Sequence, residues 1–351
     1  MGSAALVPRV LEGKLAVITG FPRGIGAGIA RDLASKGASI HGIYTSSSST
    51  KLAEDLAEEL RSKHGVQIAL TQADISQEAA AQQVATDFEA FANGRPLHIL
   101  VNNAGVGGDY LLADVPVAEF HRIYNVNVLA PILVTQALLK FLPHDRSGRI
   151  INISSVASSM GFATHTLYGG TKAALEAMTR TWARELAERA TVNAVNPGPV
   201  EGDMYFAAGQ KFWDQMRPFQ DICPLSAVRS GVDDEKLVKV ANENMYGRRP
   251  AYFSEVAAVV GMLAGPDSAW TTGSIICANG GFKFQTDEKV HVKVLVNGVE
   301  ITVAIIAPEP TIEQRIIALV NRATAINDET EKSTINSKIL NLLRKVGKDG
   351  F

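Results

Sequence analysis

Cysteine is nearly absent: Cys223 and Cys277 are the two in a chain of 351 residues. They make no disulfide framework and have no metal-ligand spacing, so a cross-linked secreted scaffold and a zinc-type site are excluded. A reduced, cytoplasmic setting suits two free thiols. Charge of one sign is also lacking. Lys and Arg number 34 against 36 Asp and Glu, a net of -2. That balance supplies no general attraction to nucleic acid or an anionic membrane. No run approaches the ~20 apolar residues that cross a bilayer. The opening MGSAALVPRVLEGK is too short and too broken for a signal peptide, so residues 1–13 are expected to be a flexible lead-in. Neither nucleic acid, nor membrane, nor metal is an expected partner.

Apolar material is plentiful, at 46% of residues, enough for a sizeable core. From residue 14 to 284 it alternates between short β-branched runs and longer helical stretches. Strands are expected at 15–18, 38–44, 66–72, 97–102, 149–154, 191–196 and 274–278. Helices are expected at 24–36, 50–64, 77–92, 116–142 and 166–189. Near-continuous apolar strands alternating with helices mean a parallel sheet covered on both faces. Right-handed crossovers then give an α/β, doubly wound sheet of Rossmann type.

Residues 203–250 break that rhythm. They hold Met204, Tyr205, Phe206, Phe212, Trp213, Met216, Phe219 and Tyr246. So many aromatics do not suit a solvated linker. A helical lid over a substrate pocket is expected, with a packed surface excursion as the plain alternative.

After Phe284 the pattern changes again. Val290, Val292, Val294 and Val296 alternate with other residues, Asn297-Gly298 follows, then Val299, Ile301, Val303 and Ile305 alternate. Asn-Gly between two such runs is a strong hairpin signal. Thr311 and Gln314 are spaced as a capping box for a helix, and Ser333 or Thr334 could cap another. Residues 285–351 are therefore expected to form a small module, a hairpin plus two helices. It is a native docking or oligomerisation module, a fused partner or crystallisation aid, or a lid on a neighbouring subunit.

The first strand runs into TGFPRGIG, Thr19 to Gly26. Gly20, Gly24 and Gly26 let backbone approach a pyrophosphate closely, and the next helix offers free N–H groups and its positive dipole end. Dinucleotide binding follows from the placement at the first strand-to-helix turn. An acid at the end of the second strand would hold ribose hydroxyls and favour NAD. None stands there. Tyr44, Thr45, Ser46 and Ser47 do, with Arg23 in the glycine turn, which suits a 2′-phosphate and hence NADPH. A solvated cation and an ordinary serine turn are the bland readings. Asp74 could accept from an adenine amino group or cap the following helix.

TLYGGTK spans Thr166 to Lys172. Tyr168 and Lys172, four apart, share a helix face. A nearby ammonium favours phenolate and can lower a tyrosine's pKa, so that the phenol gives a proton to a carbonyl oxygen. Alone, Tyr-x-x-x-Lys is common on helices. Ser155, ending GRIINISS, could hold the carbonyl beside Tyr168, or satisfy local backbone as Ser154 does. Asn127 sits inside a helix, where it needs a partner that a bound water leading to Lys172 would supply. Asn102 and Asn103 are expected to fix backbone near the cofactor.

TGFPRGIG, NNAG, YNVNVLAP, the Ser155-to-YGGTK spacing and NPGPV occur in an order that resembles the short-chain dehydrogenase/reductase family. The closest type is the NADPH-dependent ketoreductases similar to 3-oxoacyl-carrier-protein reductases and fungal polyketide reductases. The resemblance covers about residues 14–284. It implies Tyr168 as acid, Lys172 on the nicotinamide ribose, Ser155 on the carbonyl and Asn127 in a water relay. It also implies cofactor contacts from Gly20, Arg23, Gly24, Ile25, Gly26, Asp74, Asn102, Ala104, Gly105, Pro197, Gly198 and Val200, and a homodimer or homotetramer built through the helices carrying Asn127 and Tyr168. Where the family often has threonine after Pro-Gly, this chain has Gly202. The tail lies outside the resemblance.

The activity expected is hydride transfer from NADPH to a small-molecule carbonyl. Tyr205, Phe206, Trp213, Met160 and Phe162 suggest a bulky, apolar or aromatic ketone, though each could be a core contact. A non-redox enzyme or NADP-binding scaffold on the same fold is the alternative.

Overall fold

The computed structural model describes residues 9–202, 205–206 and 209–284, and the backbone of 290–296 and 299–305. The chain divides into two compact units, 1–283 and 284–351.

In the first unit seven parallel strands line up as β3-β2-β1-β4-β5-β6-β7. They are β1 (Leu15–Thr19), β2 (Ser39–Tyr44), β3 (Ile68–Gln72), β4 (Ile99–Asn102), β5 (Gly148–Ile153), β6 (Ala190–Pro197) and β7 (Ile275–Ala278). The order reverses between β1 and β4, the switch point where such sheets open a ligand crevice. Every side chain of β1 is buried. Because successive residues face opposite sides, Ala16 and Ile18 enter one core and Leu15 and Val17 the other.

The first core packs α1 (Gly24–Ser35), α2 (Thr50–His64) and α9 (Phe253–Ala264) on the sheet, through Ile29, Leu33, Leu56, Leu60, Val256 and Val260. The second packs α3 (Glu78–Ala92), α5 (Ala130–Leu138) and α6 (Thr166–Glu185), with Val84, Phe88, Val134, Leu138 and Ala183 inside. Helix α9 has no counterpart among the elements expected from sequence. Helix α6 ends at Glu185, short of residue 189, because Leu186 leaves helical geometry.

The helix expected over 116–142 is interrupted. α4 (Val117–Tyr124) passes through a π turn, Asn125–Leu129, before α5. The continuous run Val117–Phe141 is long and apolar enough, on length and composition, to cross a membrane. Here Ile123, Ala130, Val134 and Leu138 are buried within the protein.

Within 203–250 the described helices are α7 (Gln210–Asp221) and α8 (Glu235–Asn244). In the second unit β8 (Val290–Val296) pairs antiparallel with β9 (Val299–Ile305), as the alternating valines predict. The Asn297-Gly298 turn and the helices expected after Thr311 and Ser333 lie outside the described residues.

Candidate active site

The glycine turn after β1 is built for close approach. Gly20 and Gly24 have φ of +69° and +55°, a region that favours glycine. A Cβ on Gly26 would lie 2.1 Å from the Gly20 carbonyl oxygen, so no side chain fits there. Helix α1 then begins with Arg23 at its N-cap, no side-chain cap and no acid in its first turn. Its first N–H groups are left for an anion. Ile25 packs partly against the first core. Asn103, at the β4 end, stitches the turn: Nδ2 donates to the Thr19 carbonyl at 2.8 Å and the Gly20 carbonyl at 3.3 Å. Thr19 Oγ1 in return accepts from Asn103 N–H and Ala104 N–H.

Arg23 reaches across to the turn after β2 and donates to Ser49 Oγ. Ser49 stands two residues beyond those singled out from sequence. Ser46 and Ser47 are exposed, and Ser46 Oγ accepts from Ser48 N–H at 3.2 Å. The cation and the hydroxyl-rich turn are thus brought together. Tyr44 is not exposed with them. It is buried in the first core. Asp74 is exposed; its Oδ1 accepts from Ser76 N–H and Ser76 Oγ. It does not cap α3, whose N-cap is Gln77.

Asn102 turns inward. Its Nδ2 donates to Asn152 Oδ1 at 2.9 Å and Thr135 Oγ1 at 3.2 Å, and Asn152 Nδ2 continues to Thr179 Oγ1 at 2.9 Å. This chain ties α5 and α6 to β4 and β5. Asn103, rather than Asn102, is the member of the pair on the glycine turn.

At the C-terminal end of β5, Ser155 meets Tyr168. Ser155 Oγ accepts from Ala157 N–H at 3.2 Å, and Ser155 is near enough to Tyr168 to favour its phenolate. Of the two uses weighed from sequence, the bond to local backbone is the one present in the chain alone. Lys172 is buried, 5.6 Å from the Tyr168 ring centre, and its Nζ donates to the Ile153 carbonyl at 2.8 Å. Burial pulls its pKa down to about 8. The Tyr168 phenol moves up, because burial penalises the phenolate more than Ser155 favours it. The expectation that the phenol is lowered is therefore corrected for the chain alone: burial raises it, and Lys172 is not among the groups that pull it down.

Asn127 lies in the π turn, a feature frequent at functional sites. Its side chain needs no water. Oδ1 accepts from Val106 N–H at 2.8 Å, and Nδ2 donates to the Val106 carbonyl at 2.9 Å and Thr171 Oγ1 at 3.0 Å. Gly105 fits between these groups. A Cβ there would stand 3.3 Å from Lys172 Nζ and 3.4 Å from Asn127 Oδ1.

At the end of β6, Gly198 backs onto Asn279, and Val200 bridges to Ala251. Gly202 has φ of +141°, and a Cβ would lie 3.1 Å from Phe253 Cζ. Threonine would be strained there by the backbone and crowded by the ring.

The residues expected to touch substrate fall into two packed groups. Met160 and Phe162 join Val156, Met216, Phe219 and Phe282, with Phe162 edge-on to Phe219 at 5.1 Å. Tyr205 and Trp213 are buried with Leu237, Ala241 and Met245. Phe206, 37% exposed, stands edge-on to Tyr205. Beneath this segment is a cavity of about 420 Å³, lined in part by Gln220, Cys223, Arg249, Cys277 and Asn279. Neither Ser155 nor Tyr168 lines it. Polar groups flank Tyr168 instead. The His165 ring centre lies 5.7 Å away, and His165 Nε2 pairs with Asp109 Oδ1 at 3.0 Å. His165 Nδ1 is buried without a hydrogen-bond partner.

A switch-point glycine turn, with a serine, tyrosine and lysine gathered at the neighbouring strand ends, defines a dinucleotide-dependent oxidoreductase fold. The chain belongs to the short-chain dehydrogenase family, whose pattern matches residues 14–211. It is 52% identical over 295 residues to an L-xylulose reductase of Aspergillus niger, covering 79% of this chain and 99% of that one. An L-xylo-3-hexulose reductase of Hypocrea jecorina is 47% identical over 298 residues, covering 78% and 98%. Among solved structures, a blue fluorescent protein from a metagenomic library, in complex with NADPH, is 35% identical with a TM-score of 0.65. That likeness covers 78% of this chain and 98% of the other.

Proposed function

We propose that the chain is an NADPH-dependent carbonyl reductase in which the Tyr168 phenol protonates the substrate oxygen. The observation that carries this reading is the buried Lys172 ammonium 5.6 Å from the Tyr168 ring, with Ser155 at the neighbouring end of β5. Ser155 holds the carbonyl oxygen next to the phenol. Lys172, fixed on the Ile153 carbonyl, presents a cation to the nicotinamide ribose and to the phenolate that proton transfer leaves. Asn127 holds the Val106 segment against Lys172. NADPH, when bound, supplies the hydride. Ketone, NADPH and one proton become alcohol and NADP. The glycine turn and the uncapped α1 terminus suit a pyrophosphate. Arg23 with the serine turn, and no acid at the end of β2, favour a 2′-phosphate.

For substrate, a polyhydroxylated ketone fits best. Asp109 and His165 offer hydrogen bonds beside Tyr168, while the aromatics are occupied by one another. The ketose reductases at 52% and 47% identity support the same class. A bulky apolar or aromatic ketone is the second reading, favoured by the part-exposed Phe162 and Phe206. Exposed Val117, Phe120, Leu129 and Ile132, along the run carrying Asn127, support a homodimer or homotetramer.

NADPH oxidation is to be followed with L-xylulose, other ketoses and aromatic ketones. Turnover of ketoses, lost by at least about 100-fold in Tyr168→Phe, is expected. Turnover of aromatic ketones alone would select the second reading. Equal rates for Tyr168→Phe and wild type would overturn the mechanism. No turnover despite NADPH binding would favour a scaffold role.

A further inference from the structure

Glu176 lies one helical turn beyond Lys172 and two beyond Tyr168, on the same side of α6. Its Oε1 accepts three hydrogen bonds: from Ser154 Oγ at 2.7 Å, Ser158 Oγ at 2.8 Å and Asn196 Nδ2 at 2.8 Å. Asn196 Nδ2 also donates to the Ser155 carbonyl at 2.9 Å. Ser155 is therefore bracketed. The side chain before it, the side chain three residues after it and its own carbonyl all lead to one carboxylate. Asn196 is the last residue of β6 but one, directly before Pro197-Gly198, so the same oxygen links the Ser155 turn, the Tyr168 helix and the approach to the Pro-Gly turn. Hydrogen bonds to a carboxylate are shorter and stronger than neutral ones. A glutamate at mid-helix usually faces solvent; this one turns onto three donors from other segments.

We propose that Glu176 is a positioning residue, fixing Ser155 against Tyr168 by clamping both sides of the Ser155 turn to α6. This rests on the reading of Ser155 and Tyr168 as reacting partners. A displacement of about 1 Å at a group that aligns the carbonyl can cost about 100-fold in rate.

A double-mutant cycle tests it: wild type, Glu176→Ala, Ser155→Ala and the double variant, assayed by NADPH oxidation with L-xylulose or the fastest ketone of the panel. Glu176→Ala is expected to lower kcat by about 10- to 100-fold. In the Ser155→Ala background the same change is expected to cost less than about 3-fold, because its effect passes through Ser155. Glu176→Gln, which keeps a carbonyl acceptor, is expected to recover most of kcat. Wild-type kcat in Glu176→Ala, or losses that multiply independently, would overturn the clamp. If Glu176→Ala does not fold, Glu176→Met replaces it in the cycle, and a Gln variant no better than Met likewise overturns it. Unimpaired turnover by Ser155→Ala, or no turnover with any ketone, would instead remove the reading of the site on which the clamp depends.

Discussion

Asn127 grips Val106 by both of its backbone groups, accepting its N–H at 2.8 Å and donating to its carbonyl at 2.9 Å. A side-chain amide here replaces a strand partner, anchoring the chain that leaves β4 to the π turn. Truncation leaves buried donors and acceptors unpaired, at roughly 1–3 kcal/mol each. Asn127→Ala is expected to lose about 2–5 kcal/mol in urea unfolding, with turnover falling at least tenfold. Unchanged stability would show that the grip does not persist in solution.

Lys172 gives a pH signature. Its pKa is about 8 in the fold, well below an ordinary lysine. Between about 8 and 10.4 the unfolded chain holds a proton that the folded chain has released, so this group's contribution to stability rises with pH across that window. Compared with Lys172→Met, the wild type should gain stability by up to roughly 3 kcal/mol between pH 7.5 and 10.5. Urea unfolding of both proteins at the two pH values reads the difference. A constant gap would mean that Lys172 is not depressed.

Arg23 bears on cofactor choice. A charge-assisted hydrogen bond contributes about 1.5–3 kcal/mol. Arg23→Ala is therefore expected to raise KM for NADPH by about 10- to 100-fold and to leave KM for NADH nearly unchanged. Equal increases for both cofactors would place the guanidinium away from the 2′-phosphate.

Gly202 departs from the family pattern for a steric reason. With φ of +141° and Phe253 Cζ 3.1 Å from where a Cβ would be, threonine would strain the backbone and displace the ring. Gly202→Thr is expected to destabilise by about 1–3 kcal/mol and to bring no gain in NADPH affinity. A stabilised variant would show that this backbone relaxes easily.

Much of the fold was legible because its signals are local. Helix α2 follows the apolar spacing over Thr50–His64, and β1, β2 and β4 follow short β-branched runs. Helix α9 carries comparable periodicity and an acid, Glu255, in its first turn, so it had a signal to be found. The π turn had none: Asn125–Leu129 reads as ordinary helix, and the change is a hydrogen-bond shift without a composition mark. Aromatics were legible only as aromatics. Trp213 and Tyr205 fill the core of their own segment, and amino-acid type cannot separate that use from lining a pocket.

The sequence by itself determined the alternating architecture, the glycine turn at the first strand end and the four-residue spacing of Tyr168 and Lys172. These depend on periodicities and backbone permissions within a few residues. Only the tertiary structure decided that Asn103 rather than Asn102 braces the turn, that Lys172 is anchored on Ile153, and that Glu176 gathers Ser154, Ser158 and Asn196. Hydrogen-bond partners and burial are set by segments that meet after long separations in the chain, and no local pattern records which donor will find which acceptor.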